Sequence, residues 1–224
     1  MSGNVIAVTG LAREARIARR AKLTPVISGT DGELLTRRLE AAVAQGAKGI
    51  VSFGIAGALV PLLKIGDVVV ATHVVHGDER YPTDAEWTRV IRAKLPSAVP
   101  GVIAGHDQIV SHVDGKRRLL SLTGAFAVDM ESHIAARSAA RHGIPFVAIR
   151  SISDAYNRGL PPAAQLPLKP SGRIQLRKVF ASVANEPSQI PDLMRTGREA
   201  GRAFSALLRS RNALGLFLGC PYLG

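Results

Sequence analysis

The chain of 224 residues contains one cysteine, Cys220, so no internal disulfide can form. That excludes a stapled secreted scaffold and favours a reducing compartment, with the cytoplasm as the expected location. Aromatic residues make up only 4% of the sequence, so the core must rest on Ala, Val, Leu and Ile. No apolar run approaches the roughly 20 residues needed to cross a bilayer. The opening MSGNVIAVTG lacks a basic segment ahead of its apolar residues and reads as a first strand, not as a signal peptide. Acidic residues are scarce: 17 Asp and Glu face 29 Lys and Arg, a net charge of +12. This balance suits an anionic partner, whether nucleic acid, an acidic membrane surface or a phosphate-bearing substrate. It equally suits a solvated basic surface, because the charges are spread without a long block. Nucleic acid is the least supported partner, since no aromatic stacking motif accompanies the charge. No metal site is expected: His73 and His76 share a strand at odd spacing, and His106 and His112 stand apart from any Cys or carboxylate cluster. No linker divides the chain, which predicts a single domain over residues 1–224.

What is present is an alternation of apolar runs and helical periodicity, the pattern of an α/β sheet. Val5–Thr9 predicts a strand, and LAREARIARRAK after it a helix with Arg13 and Glu14 near its start. A carboxylate there is favoured by the helix dipole, the simplest account of Glu14. Pro25–Ser28 predicts a second strand, Asp31 a cap for a helix over 33–45, and Gly49–Phe53 a buried strand running into a small-residue loop, GIAGAL. There Gly54 and Gly57 would let the backbone approach a ligand. Val68–Val75 and Val99–Ala104 predict further strands, separated by an amphipathic helix over 84–95; Asp114 is expected to cap a helix through Leu122. Residues 155–172, with Pro161, Pro162, Pro167 and Pro170, predict a surface loop or lid. Helices follow over 174–184 and 192–208, then an apolar tail over 212–224 that packs on the core, an interface or lipid.

The stretch from Ala127 to Asp154, AVDMESHIAARSAARHGIPFVAIRSISD, organises the rest. It places Glu131 and Asp154 after two short apolar runs, expected to be neighbouring strands, Ala125–Val128 and Pro145–Ile152. A small-residue helix over 132–142 joins them, stopped by Gly143 and Pro145. Read as a βαβ unit, it puts both carboxylates at strand carboxyl ends, where ligands collect in open α/β sheets.

Three motifs, GLAREA, SFGIAGALVPLLKIGDVVVA and the Ala127–Asp154 stretch, together resemble the nucleoside phosphorylase and nucleosidase superfamily. The resemblance runs from Val5 to Asp154, weakens between Asp78 and Ile103, and fails after Asn157. It implies a three-layer α/β/α fold around a central mixed sheet, usually as homo-oligomers, and cleavage of the N-glycosidic bond of a purine nucleoside. It assigns the ribose hydroxyls to Glu131, sugar packing to Met130, and protonation of the purine to Asp154, with Ser153 beside it. Asp154 would then need a raised pKa, which burial beside Ile152 and Ala155 would supply. Glu14 matches the glutamate that activates water in nucleosidases. Gln108 and Ile109 stand where an aromatic often stacks on the base. Where phosphorylases place phosphate donors, this chain has Ser52 and Ile55 near Gly54, with Arg13 and Arg16 as replacements. The attacking group, water or phosphate, is therefore open. No cofactor is implied, with phosphate as the alternative co-substrate. The GL-x-x-EA-x-IAR start most resembles hopanoid-associated phosphorylases. That implies a lipid-linked adenosine as substrate and contact with the inner face of an anionic membrane; a methylthioadenosine/S-adenosylhomocysteine nucleosidase and a catalytically silent nucleoside-binding protein are the alternatives.

Overall fold

The computed structural model describes residues 4–223. Residues 1–3 and 224, at the ends of the expected domain, lie outside the described residues. The elements are β1 (Asn4–Thr9), α1 (Ala12–Arg19), β2 (Thr24–Ile27), α2 (Gly32–Val43), β3 (Ala47–Ala58), β4 (Val68–His76), β5 (Glu79–Pro82), α3 (Ala85–Lys94), β6 (Val99–Gly105), α4 (Val113–Thr123), β7 (Ala127–Asp129), α5 (Ser132–His142), β8 (Phe146–Asp154), α6 (Leu176–Asn185) and α7 (Ile190–Leu214). Local chemistry sets several boundaries. Asp31 and Asp84 accept from the Leu34 and Trp87 N–H groups, each at 2.8 Å, and so start α2 and α3. Gly124 and Gly143 end α4 and α5 in the left-handed region, at φ 64° and 62°.

The strands form one mixed sheet in the order β2-β1-β3-β7-β6-β4-β5, and β8 pairs with both β3 and β4. That extra pairing closes β3, β7, β6, β4 and β8 into a ring. Alternation along the strands sends side chains to the two faces of the sheet, each with its own core. Ile6, Val8, Ile50, Ala148 and Ile152 pack with Leu35 and Leu39 of α2 and Ala135 and Ala139 of α5. Val5, Ala7, Val51, Val147 and Ile149 pack with Ile17 of α1, Trp87 and Ile91 of α3, and Phe204 and Leu207 of α7. The result is the three-layer α/β/α arrangement around a mixed sheet. Among the described residues, no helix is long and apolar enough to cross a membrane.

Four expectations are corrected. β7 and β8 are not neighbours: β3 lies between them, antiparallel to β7 and parallel to β8, so they do not make a βαβ unit. The long β3 makes this possible, pairing with β8 over Ile50–Gly57 and turning to β7 only at Gly57 and Ala58. The GIAGA segment is therefore strand, not loop. Asp114 lies inside the first turn of α4, whose N-cap is His112. The expected helix over 192–208 runs to Leu214, because the tail folds back on the core: Leu214 and Leu218 are buried, and the Leu218 carbonyl accepts from Trp87 Nε1–H at 3.0 Å.

Trp87 thus anchors both α3 and the tail, fully buried against Gly49, where an added Cβ would come within 2.9 Å of the indole. Trp87→Ala is expected to cost about 3–5 kcal/mol, the range for emptying a buried aromatic site. Urea unfolding followed by circular dichroism would measure it.

Candidate active site

Side chains from the ends of β1, β3, β7 and β8 converge on a cavity of about 660 Å³. Glu14, in the first turn of α1, is buried against its floor. The Gly10 and Leu11 N–H groups donate to its Oε2 at 2.8 Å each, and the Ile55 N–H donates to Oε1 at 2.8 Å. A carboxylate has about four acceptor sites, so these three bonds leave one for a further donor. Burial pushes the Glu14 carboxyl up, against the pull of Arg150 and the backbone N–H groups.

Glu131 stands at the N-cap position of α5, also buried and facing the cavity. Ser28 Oγ–H donates to its Oε1 at 2.9 Å, and Arg150 Nη2 lies 3.5 Å from Oε2. Gly10 has to be glycine, because a Cβ there would meet Glu131 Oε1 at 2.7 Å. Burial raises the Glu131 carboxyl to about 7; Arg150 and Ser28 oppose the shift, and Asp129 and Glu14 add to it.

The charge that holds these acids together is Arg150, fully buried in the middle of β8. Its Nε lies 2.6 Å from Asp129 Oδ2, and its Nη2 donates to Ser52 Oγ at 2.5 Å. Ser132 completes the cluster: its O–H donates to Asp129 Oδ2, and its oxygen lies 3.0 Å from Ser52 Oγ. Gly54 keeps the space open: a Cβ would lie 2.4 Å from Arg150 Nη1 and 2.6 Å from Glu14 Oε1.

Asp154 closes the opposite side of the cavity at the end of β8. Its Oδ1 accepts from Ser153 Oγ at 2.8 Å, and its Oδ2 accepts from Lys116 Nζ at 2.5 Å. It is therefore a paired carboxylate, not a carboxyl among apolar neighbours. Gln108 and Ile109 form part of the wall, together with Met130. Leu160 and Ala164–Leu168 of the Pro-rich segment cover the cavity with Thr196 and Ala200 of α7.

Glu14, Ile55, Gln108, Ile109, Met130, Glu131, Ser153 and Asp154 thus share one cavity, whereas Arg13, Arg16, Ser52 and Gly54 do not line it. Arg13 is exposed and stacks on Phe204, its Cζ 4.4 Å from the ring centroid. Arg16 is exposed on a separate surface groove. Ser52 is fully buried and serves Arg150. Two central residues escape a reading by motif. Arg150 had a signal, as a lone arginine within an apolar strand must find buried partners. Lys116 had none, since it opens a Lys-Arg-Arg run that reads as a solvated helix face.

A set of metal-ligand types also assembles away from any motif: His76, Asp107 and His133 offer ligand atoms within 4.8 Å of one another. The two imidazoles stack, centroids 4.3 Å apart and only 13° from parallel, so their lone pairs run side by side instead of converging. His133 Nε2 bonds Asp107 Oδ1 at 3.0 Å, which ties the wall loop to α5.

Comparison with known proteins adds three findings. The family model described as the Phosphorylase superfamily matches residues 30–169, a span that includes Glu131 and Asp154 but not Glu14. A 5'-methylthioadenosine/S-adenosylhomocysteine nucleosidase of Geobacillus kaustophilus is 31% identical over 47% of this chain and 54% of its own length. The chain spans about half the length of the curated relatives it matches. Among solved structures, futalosine hydrolase of Helicobacter pylori aligns with a TM-score of 0.64 at 18% identity, covering 94% of this chain and 97% of that one. The 5'-methylthioadenosine/S-adenosylhomocysteine nucleosidase mutant of the same organism, with 5'-methylthioadenosine in the active site, aligns at 0.63 and 18%, covering 95% and 99%.

The raised Glu131 carboxyl makes stability depend on pH. Between its ordinary value of 4.5 and about 7, the folded chain holds a proton that the unfolded chain has released. Its contribution is complete below 4.5 and is lost as pH rises through about 7. Thermal midpoints should fall from pH 5 to pH 8, and Glu131→Gln should flatten part of that fall. An unchanged slope in the variant would show that the carboxyl is ionised throughout.

Proposed function

Because the chain belongs to the Phosphorylase superfamily, we propose that it hydrolyses the N-glycosidic bond of a purine nucleoside, releasing adenine from a 5'-substituted adenosine. One observation carries the choice of water over phosphate. Glu14, Asp107, Asp129, Glu131 and Asp154 line the cavity, and among the described residues no arginine, lysine or histidine does. A phosphate dianion placed among these acids would meet like charge without the bidentate donors that recognise it. A neutral water fits there, and Glu14 has one acceptor site left to orient it.

In this reading Glu131 accepts from the ribose hydroxyls and Met130 packs on the sugar. Asp154 gives the departing base its proton, so that the base leaves neutral while the sugar becomes oxocarbenium-like. Ser153 fixes the Asp154 carboxyl, and Gln108 and Ile109 face the base. No organic cofactor enters any of these steps. The nucleosidase names of the relatives support the substrate class, and the arrangement of acids supports the chemistry.

The finer reading is that the 5' substituent is apolar, as in adenosylhopane of hopanoid synthesis, and that the enzyme meets it at an anionic membrane. The cover of the cavity supports this, being built from Leu160, Leu166, Pro167 and Leu168. So does α6, which buries no residue and exposes Leu176 and Phe180 beside Arg177 and Lys178. Such a face suits the boundary of an acidic bilayer. Assembly into a homo-oligomer completes the reading.

Adenine release from adenosine, methylthioadenosine and a 5'-alkyl adenosine, with and without phosphate, tests it directly. The expected result is release independent of phosphate, fastest for the alkyl substrate, and slowed by roughly 10² to 10⁴ in Asp154→Asn. Release that requires phosphate would sink the hydrolytic reading; no release from any substrate would sink the enzyme. Cosedimentation with phosphatidylserine vesicles should be reduced in Phe180→Ser, and no sedimentation of the wild type would remove the membrane contact.

A further inference from the structure

Lys116 is the one residue of α4 that is buried, and its side chain is only 1% exposed. Lysine is almost never buried without a partner, and burying its charge is costly. Its three N–H bonds meet three acceptors: Asp154 Oδ2 at 2.5 Å, the Ala155 carbonyl at 2.7 Å and the Arg158 carbonyl at 3.2 Å. Two of these acceptors belong to the segment that follows Asp154. Arg158 in turn pairs with Glu199 of α7. The lysine therefore joins the acid of the site to the start of its cover. Nothing in the ribose or nucleophile side of the cavity uses it.

We propose that Lys116 is the proton reservoir of Asp154, a positioning residue that acts on the substrate only through that carboxyl. The inference rests on the reading of Asp154 as the acid. The pair holds one transferable proton, either as ammonium and carboxylate or as amine and carboxylic acid. When the glycosidic C–N bond breaks, its electron pair moves onto the base. A base nitrogen takes the proton from Asp154, and Asp154 takes one from Lys116 across the 2.5 Å contact. The neutral amine keeps two N–H bonds for the two carbonyls that remain. The proton released by the attacking water returns through solvent to the pair, so the cycle closes without another reactant. The two carbonyls also fix the amine in place, which keeps the transfer distance short throughout.

The test compares two leaving groups on the whole protein. Adenosine needs a proton on its base, whereas 4-nitrophenyl β-riboside expels a phenolate that needs none. In the wild type, kcat/KM for adenosine should show an alkaline limb that is missing for the nitrophenyl riboside. Lys116→Met should lose about 10²- to 10⁴-fold on adenosine while staying within about threefold on the nitrophenyl riboside. Its alkaline limb should also move to lower pH, since a carboxyl alone gives up its proton earlier than an amine. Lys116→Arg keeps the charge but cannot release a proton at these pH values, and should remain slow on adenosine. Full activity of Lys116→Arg would overturn the relay. Equal losses on both substrates in Lys116→Met would do the same, as would identical pH limbs for the two substrates in the wild type, a comparison that needs no variant to fold. If the wild type cleaves only the nitrophenyl riboside and frees no base from any nucleoside, the glycosidic reading itself fails and the relay falls with it.

Discussion

The ion cluster around Arg150 is the constraint to which the rest of the molecule answers. Three carboxylates, from Asp129, Glu131 and Glu14, approach one guanidinium in the centre of a sheet covered on both faces. Charges taken out of water need close partners and complete hydrogen bonding. The chain supplies close partners from distant places. Ser52 comes from β3, Ser132 from α5, Ser28 from the end of β2, and backbone N–H groups from the turn before α1. Burial first, and then the neighbouring Asp129 and Glu14, push the Glu131 carboxyl up to about 7 against the pull of Arg150.

This imbalance gives the cavity its chemical character. A protein with a net charge of +12 lines its cavity with acids, and among the described residues no arginine reaches the cavity wall. Acids facing a sugar suit hydroxyl recognition and the positive charge that develops on a ribose as its base departs. On the other side Asp154 has its own cation: Arg150 pairs with Asp129 and Glu131, and Lys116 with Asp154. The Pro-rich segment covers the cavity and is tied to α7 by Arg158 and Glu199.

The sequence was a good guide to most local interactions, Asp114 excepted. Asp31 caps the helix that follows it, Gly143 stops α5, and continuous apolar runs make strands, because each depends on residues within a turn or two. The pairing of strands was misread for the same reason. Nothing in Ala127–Asp154 itself says that β3, about 80 residues earlier, separates β7 from β8. Arg150 was visible as an anomaly in an apolar strand, but its partners were not. Lys116 was invisible, since the run in which it stands looks like any solvated helix face.

By itself, then, the sequence determined the alternation of strands and helices and the kinds of acid available at strand ends, both properties of short stretches. Tertiary structure alone decided which of these acids face one cavity, which cation each one meets, and that Arg13, Arg16 and Ser52 do not line that cavity. The physical reason is that burial and pairing, which set the charge state of an acid, are created by segments from opposite ends of the chain. Between Ala127 and Asp154 the sequence places Glu131 and Asp154; only the tertiary fold gives one of them Arg150 of β8 and the other Lys116 of α4.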